Sequence, residues 1–245
     1  MQPDLTAIVE TLDLSEPVVG LYDAPDPAPF APLVEPGHGR ECVFAAYPQW
    51  RRGRTLHLTR ERHGCGALHL LGLAGRSRAD LVRFLVDDEG LRASRELMAA
   101  WLDAVPGYRP RHGHLLLGPL RPDQYDHLVT ATFYVNPDQL AALCTGAAYF
   151  SHPDEPAPVL APFGSGCGQL AAVFPDLAAP QAVIGATDQA MRRHLPPQVL
   201  AFTVTRAMLE RLARWAATPG SSLHTGFLAG LVAARGGTLA VGEGS

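Results

Sequence analysis

CVFAAYPQWRRGRTLHLTRERHGCGAL at residues 42–68 and CTGAAYFSHPDEPAPVLAPFGSGCGQL at residues 144–170 follow one pattern: C-x2-A-A-Y, a long spacer, then G-C-G-x-L. At a constant offset of 102 residues, Cys42, Ala45, Ala46, Tyr47, Leu58, Gly64, Cys65, Gly66 and Leu68 meet Cys144, Ala147, Ala148, Tyr149, Leu160, Gly166, Cys167, Gly168 and Leu170. These nine identities in 27 positions compare with roughly two expected from ordinary composition. Self-similarity at one fixed offset marks an internal duplication. It predicts a pseudo-twofold α+β domain over 1–245, built from repeats at about 15–105 and 113–213, with a mixed or antiparallel sheet and flanking helices.

The segments around the second copy give the clearest local signals. His127 to Val135 is rich in β-branched and aromatic residues, as a strand requires, and Asn136-Pro137-Asp138-Gln139 follows it. Asn at the cap, Pro at the first helical position and Gln at the third make a helix start, which places Cys144 about two turns into a helix. In the first copy, Val18 to Tyr22 is the matching strand, Asp23 to Pro36 a loop with five prolines, and Cys42 lies on the matching helix after about ten extra loop residues. Leu5, Ile8, Val9 and Leu12 recur at helical spacing and predict a short helix over 3–14. Residues 78–104 read as one or two helices, and 114–117 and 127–135 as adjacent strands. Strands at 182–186 and 199–204, helices at 208–216 and 227–234, and a frayed tail over 236–245 complete the reading.

Composition removes several function classes. All 20 basic residues are arginine, which rules out the lysine of a phosphate-binding P-loop and a lysine Schiff base. The net charge of −4 offers no general attraction to nucleic acid or to an anionic membrane. No apolar run approaches the ~18 residues of a membrane span. The first residues lack the basic and apolar regions of a signal peptide, so a cytoplasmic protein is expected, whose cysteines serve better as ligands or reactive groups than as disulfides.

All four cysteines lie in the repeats, one in each helical segment and one 23 residues later between two glycines. Pseudo-symmetry predicts that Cys42, Cys65, Cys144 and Cys167 converge and bind an iron–sulfur cluster, with zinc as second choice. Gly64, Gly66, Gly166 and Gly168 would permit positive φ and present backbone amides to the thiolates. His63, two residues before Cys65, is a supporting neighbour with no counterpart in the second copy, where Ser165 stands. His112-x-His114 offers a second, weaker metal-binding pattern. A buried free cysteine also packs well as a small apolar side chain.

The ordered set of Cys42, Gly64-Cys65-Gly66 with Leu71-Gly72-Leu73, Asn136-Pro137-Asp138-Gln139, Cys144 and Cys167-Gly168 resembles the domain-of-unknown-function 169 family, also called uncharacterised ArCR, over about residues 15–213. That family often carries an arginine two positions after the second Cys-Gly cysteine, where this chain has Gln169. The resemblance brings no activity with it. Two readings follow from the residues: a cysteine-ligated metal or iron–sulfur protein with a redox or cofactor-handling role, or a small-molecule-binding module or thiol-dependent enzyme with a cavity between the repeats. Expected partners are a small molecule or a redox protein.

Overall fold

The computed structural model describes residues 3–35, 42–59, 61, 63, 69–73, 77–161 and 166–240. Seven strands form one sheet: β1 (Val19–Ala24), β2 (Leu56–Leu58), β3 (His114–Pro119), β4 (Leu128–Val135), β5 (Val159–Leu160), β6 (Ala182–Gly185) and β7 (Leu200–Thr205). Their order is β2-β3-β1-β4-β7-β6-β5. Every pairing is antiparallel except that of β5 with β6. The α+β class and the mixed sheet therefore hold. The strands read as 114–117 and 127–135 are not neighbours, because β1 lies between them and pairs with both.

Side-chain alternation along the strands separates two apolar layers. Val19 and Leu21 of β1, Leu115 and Leu117 of β3, Tyr134 of β4 and Ala201 of β7 face one side. There they meet Val43, Phe44, α2 (Tyr47–Trp50) and Leu170. Tyr22 and Ala24 of β1, Leu116 of β3, Phe133 of β4 and Phe202 of β7 face the other. That side is covered by α1 (Thr6–Thr11), α5 (Pro137–Ala148) and α7 (Arg206–Ala217). On the first side α3 (Arg78–Arg83) and α4 (Arg95–Ala104) pack on each other through Leu81, Val82, Leu85 and Met98, and the short α6 (Gln189–Arg192) places Met191 in the main cluster. The C-terminal α8 (Gly226–Ala234) lies outside the second layer with none of its residues fully buried.

The start of α5 forms as its sequence dictates. The Asn136 side chain accepts from the Gln139 amide at 2.9 Å, and the Gln139 side chain accepts from the Asn136 amide at 3.0 Å. Cys144 is the eighth residue of that helix. Cys42 differs, since it sits in extended backbone (φ −68°, ψ 137°) at the head of a 3-10 turn over Val43–Ala46. The tail is also more fixed than a frayed end: Leu239 is buried, and its carbonyl accepts from Gln139 Nε2 at 2.8 Å and Asn136 Nδ2 at 2.6 Å. Residues 241–245 lie outside the described residues.

The strand order is nearly mirrored about the β1–β4 pair, as a duplication suggests. A twofold axis relating two antiparallel neighbours must run perpendicular to the sheet, so it keeps each face on its own side. The Cys42 turn packs on the first face and the Cys144 helix on the second. No such axis can carry one onto the other, and the expected superposition of Cys42 on Cys144 is not met. The sequence repeat stands, but its first cysteines lie on opposite faces, Cys42 on the first and Cys144 on the second, while Cys167 of the second copy packs on the first.

One glycine is required by close packing. A Cβ on Gly146 of α5 would sit 2.5 Å from the Trp215 ring of α7. Relief of helix-interior glycine gains up to ~1 kcal/mol, whereas overpacking a rigid, fully buried ring costs about 1–3 kcal/mol. Gly146→Ala is therefore expected to lower the unfolding free energy by roughly 1–2 kcal/mol, read as a lower denaturant midpoint at unchanged slope.

Candidate functional site

Cys167 is 1 % exposed in a 3-10 turn over Gly166–Leu170, and it packs in the same cluster as half-buried Cys42. Gly168 is not among the glycines with positive φ, so this turn does not use the backbone freedom expected of it. Cys144 packs against the cluster on the opposite face, where burial raises its pKa and keeps it a thiol. Cys65, Gly64 and Gly66 lie outside the described residues. His63 is buried with its Nδ1 3.3 Å from the Thr59 carbonyl oxygen.

The structure groups Cys42 with Cys167 and sets Cys144 against the other face, while Cys65 lies outside the described residues. Ligands of one metal ion lie within about 2.3 Å of it, whereas a sheet with its packed side chains separates layers by roughly 10 Å. Among the described residues, no group of three or more His, Cys, Asp or Glu side chains could hold a metal ion. His112-x-His114 is also divided. His114 Nδ1 lies 3.0 Å from His57 Nε2 on the sheet, while the His112 ring meets His127 edge-on at 5.9 Å.

The neighbours of Cys167 form a sealed core. Trp50 stacks on Tyr134 at 5.7 Å and Tyr47 meets Tyr134 edge-on at 5.3 Å. Among the described residues, Trp50 Nε1, Tyr134 Oη and Gln169 Nε2 are buried without hydrogen-bond partners, while the Tyr47 hydroxyl lies beside the Glu16 carboxylate. Burial holds the Tyr134 hydroxyl well above its ordinary pKa, with Tyr47 and Cys167 as smaller causes. Gln169 spends its other amide atom on the fold, Oε1 accepting from the Ala186 amide at 2.6 Å. These polar atoms have almost no accessible surface, so no water-sized space adjoins them. Among the described residues, the surroundings of Cys167 are packed thiol–aromatic core.

The cavity lies elsewhere. At the end of the sheet where β1 and β7 finish and β3 and β4 begin, a cleft of about 500 Å³ opens. Its walls include Asp23, Tyr108, Arg111, His112, His127 and Arg206, drawn from the first half, the connecting segment and the second half. Its organising group is Asp23, a carboxylate only 5 % exposed at the end of a buried strand. Such a group must be hydrogen-bonded to be tolerated, and Asp23 accepts from Tyr108 Oη at 2.7 Å and from the amides of Arg111 and His112 at 2.6 and 2.9 Å. Burial, then the Asp23 carboxylate, pushes the Tyr108 pKa well up, so the hydroxyl stays protonated and donating.

On the opposite wall, Tyr125 Oη donates to Glu210 Oε1 at 3.0 Å, and burial with that carboxylate pushes its pKa up to about 12. The Arg206 guanidinium lies over the Tyr125 ring at 4.6 Å. Leu128, Val129 and Leu177 supply an apolar floor. A larger groove of about 800 Å³ runs along α1, but its polar lining is Asp4, Thr6 and Glu10 on a short helix, with no buried polar group directed into it. The cleft residues, apart from His112, carry no sequence signal; the nearest to one is a charge, Asp23, closing an apolar run.

Residues 7–214 match the domain-of-unknown-function 169 family, uncharacterised ArCR, so the chain belongs to that family. No match was found among curated proteins or solved structures. Among the described residues, no helix is long and apolar enough to cross a membrane. The separation of Cys144 from Cys42 and Cys167 has a direct test. Cys144→Ser is expected to leave iron and zinc content per chain unchanged after anaerobic purification, whatever that content is; a proportional loss would return Cys144 to a shared centre.

Proposed function

We propose that this member of the domain-of-unknown-function 169 family is a small-molecule-binding protein whose ligand occupies the cleft at the ends of β3, β1, β4 and β7. One observation carries the reading: a cavity of about 500 Å³, within the size range of small-molecule sites, is walled by both halves and shaped around a fully hydrogen-bonded buried carboxylate. A buried carboxylate with three donors is costly to assemble, and here it fixes Tyr108, Arg111 and His112 at the cleft wall. Preorganisation of this kind lowers the ordering cost of binding.

No described cysteine lines this cleft, which favours a binding module over a thiol-dependent enzyme at this site. The cysteine-ligated iron–sulfur or zinc centre is the second reading, favoured by the shared cluster of Cys42 and Cys167. It would draw on those two thiolates and Cys65.

Filling the cleft tests the first reading. Ala178 lines it from the loop side and is exposed, so Ala178→Trp should occupy the space with little effect on the fold. Small molecules that co-purify with the full chain, identified by native mass spectrometry, are expected to be lost from Ala178→Trp while the melting temperature holds. Retention of the same ligand by a folded Ala178→Trp would place the binding site elsewhere.

A further inference from the structure

We infer that the cleft recognises a small organic anion, a carboxylate or phosphate head on an apolar body, through the guanidinium groups of Arg111 and Arg206. This deepens the binding reading above and rests on the cleft being the ligand site.

The argument is an inventory of charges already engaged. Three acidic side chains line the cleft: Asp23, Asp126 and Glu210. Asp23 has taken three donors and has little acceptor capacity left for a cationic ligand. Glu210 accepts from Tyr125. Asp126 is exposed, where water and salt screen its charge. The cations are engaged differently. Arg51, Arg78, Arg95, Arg211 and Arg235 each reach a carboxylate elsewhere in the protein. Among the described residues Arg111 meets none within ion-pair distance, and its backbone amide donates to Asp23. Arg206 gives a long 3.4 Å hydrogen bond to the Asp126 carbonyl oxygen, rests its plane on Tyr125 and also reaches the Tyr125 hydroxyl, but meets no carboxylate among the described residues.

Arg111 and Arg206 thus line one cavity, and among the described residues neither guanidinium is within ion-pair distance of a carboxylate. An arginine's planar fork matches a carboxylate or phosphate in a bidentate way. The helix below adds to this. Arg206 and Ala207 open α7, a helix of 12 residues, at the cleft wall, and the Thr205 side chain caps only the Met208 amide at 3.2 Å. The remaining first-turn amides and the helix dipole favour negative charge there. His112 and His127 stand beside the site as further hydrogen-bonding groups. Leu128, Val129 and Leu177 would cover an apolar body, which an inorganic ion does not have.

The test compares shape-matched probes on the full chain. Benzoate, phenyl phosphate, neutral benzamide and inorganic phosphate are titrated at low and moderate salt while the ring signals of His112 and His127 and the side-chain Nε–H signals of Arg111 and Arg206 are followed by NMR. Benzoate or phenyl phosphate should shift these signals and bind at least about tenfold more tightly than benzamide, as one charge-assisted contact implies. The tighter of the two names the head group, and inorganic phosphate should bind more weakly than either. Arg111→Gln and Arg206→Gln should each weaken anion binding about tenfold and leave benzamide unaffected, with thermal unfolding showing both variants folded. Benzamide binding in the cleft as tightly as the anions, or arginine variants without effect, would overturn the anion inference and leave the cleft reading intact. Shifts confined to other surfaces, or none at the cleft with any probe at millimolar concentration, would overturn both.

Discussion

Strand β1 is hydrogen-bonded along both edges and buried on both faces, and the rest of the structure depends on that position. Its partners β3 and β4 begin at residues 114 and 128, which is 90 and 104 positions after it ends at residue 24, so closing the sheet fixes long loops before any contact rewards it. Burial of Val19, Leu21, Tyr22 and Ala24 in two separate layers offsets that cost. The one charged residue in the strand, Asp23, cannot reach bulk water and must find donors within the protein. It finds them in the segment 108–112, and the satisfaction of that carboxylate draws the segment over the strand ends to make a cleft wall.

Local structure was legible in the sequence where the causes were local. The Asn136–Gln139 capping box, the strands at β4 and β7 and the apolar spacing of α7 all form where their residues indicate. Strand neighbours were less legible, because β1 enters between β3 and β4 from far away in the chain and leaves no mark on either. The cleft was almost invisible. Its groups come from Asp23, the 108–112 segment, the head of β4 and the head of α7, each a single ordinary residue until the fold assembles them.

The duplicated cysteines show a different limit. A repeat records that two segments share side-chain requirements, and Cys42, Cys144 and Cys167 all lie in or against apolar clusters. It does not record on which face of the sheet each segment crosses, since that is settled by the connections around it. The first copy reaches its cysteine after a long proline-rich loop and crosses on one side. The second enters α5 directly from β4 through Asn136-Pro137 and crosses on the other.

The amide of Gln139, itself fully buried, touches two distant parts of the chain. Its Nε2 donates to the carbonyls of Leu12 and Asp13 near the start, and to that of Leu239 near the end. Leu239 lies 25 residues past the last position of the family match, residue 214. The fold thus reaches beyond the shared family region: a fragment cut at residue 214 would strip the Leu239 carbonyl that Gln139 and Asn136 share as acceptor, and the cover that Leu223 and Leu239 lay over the second apolar layer.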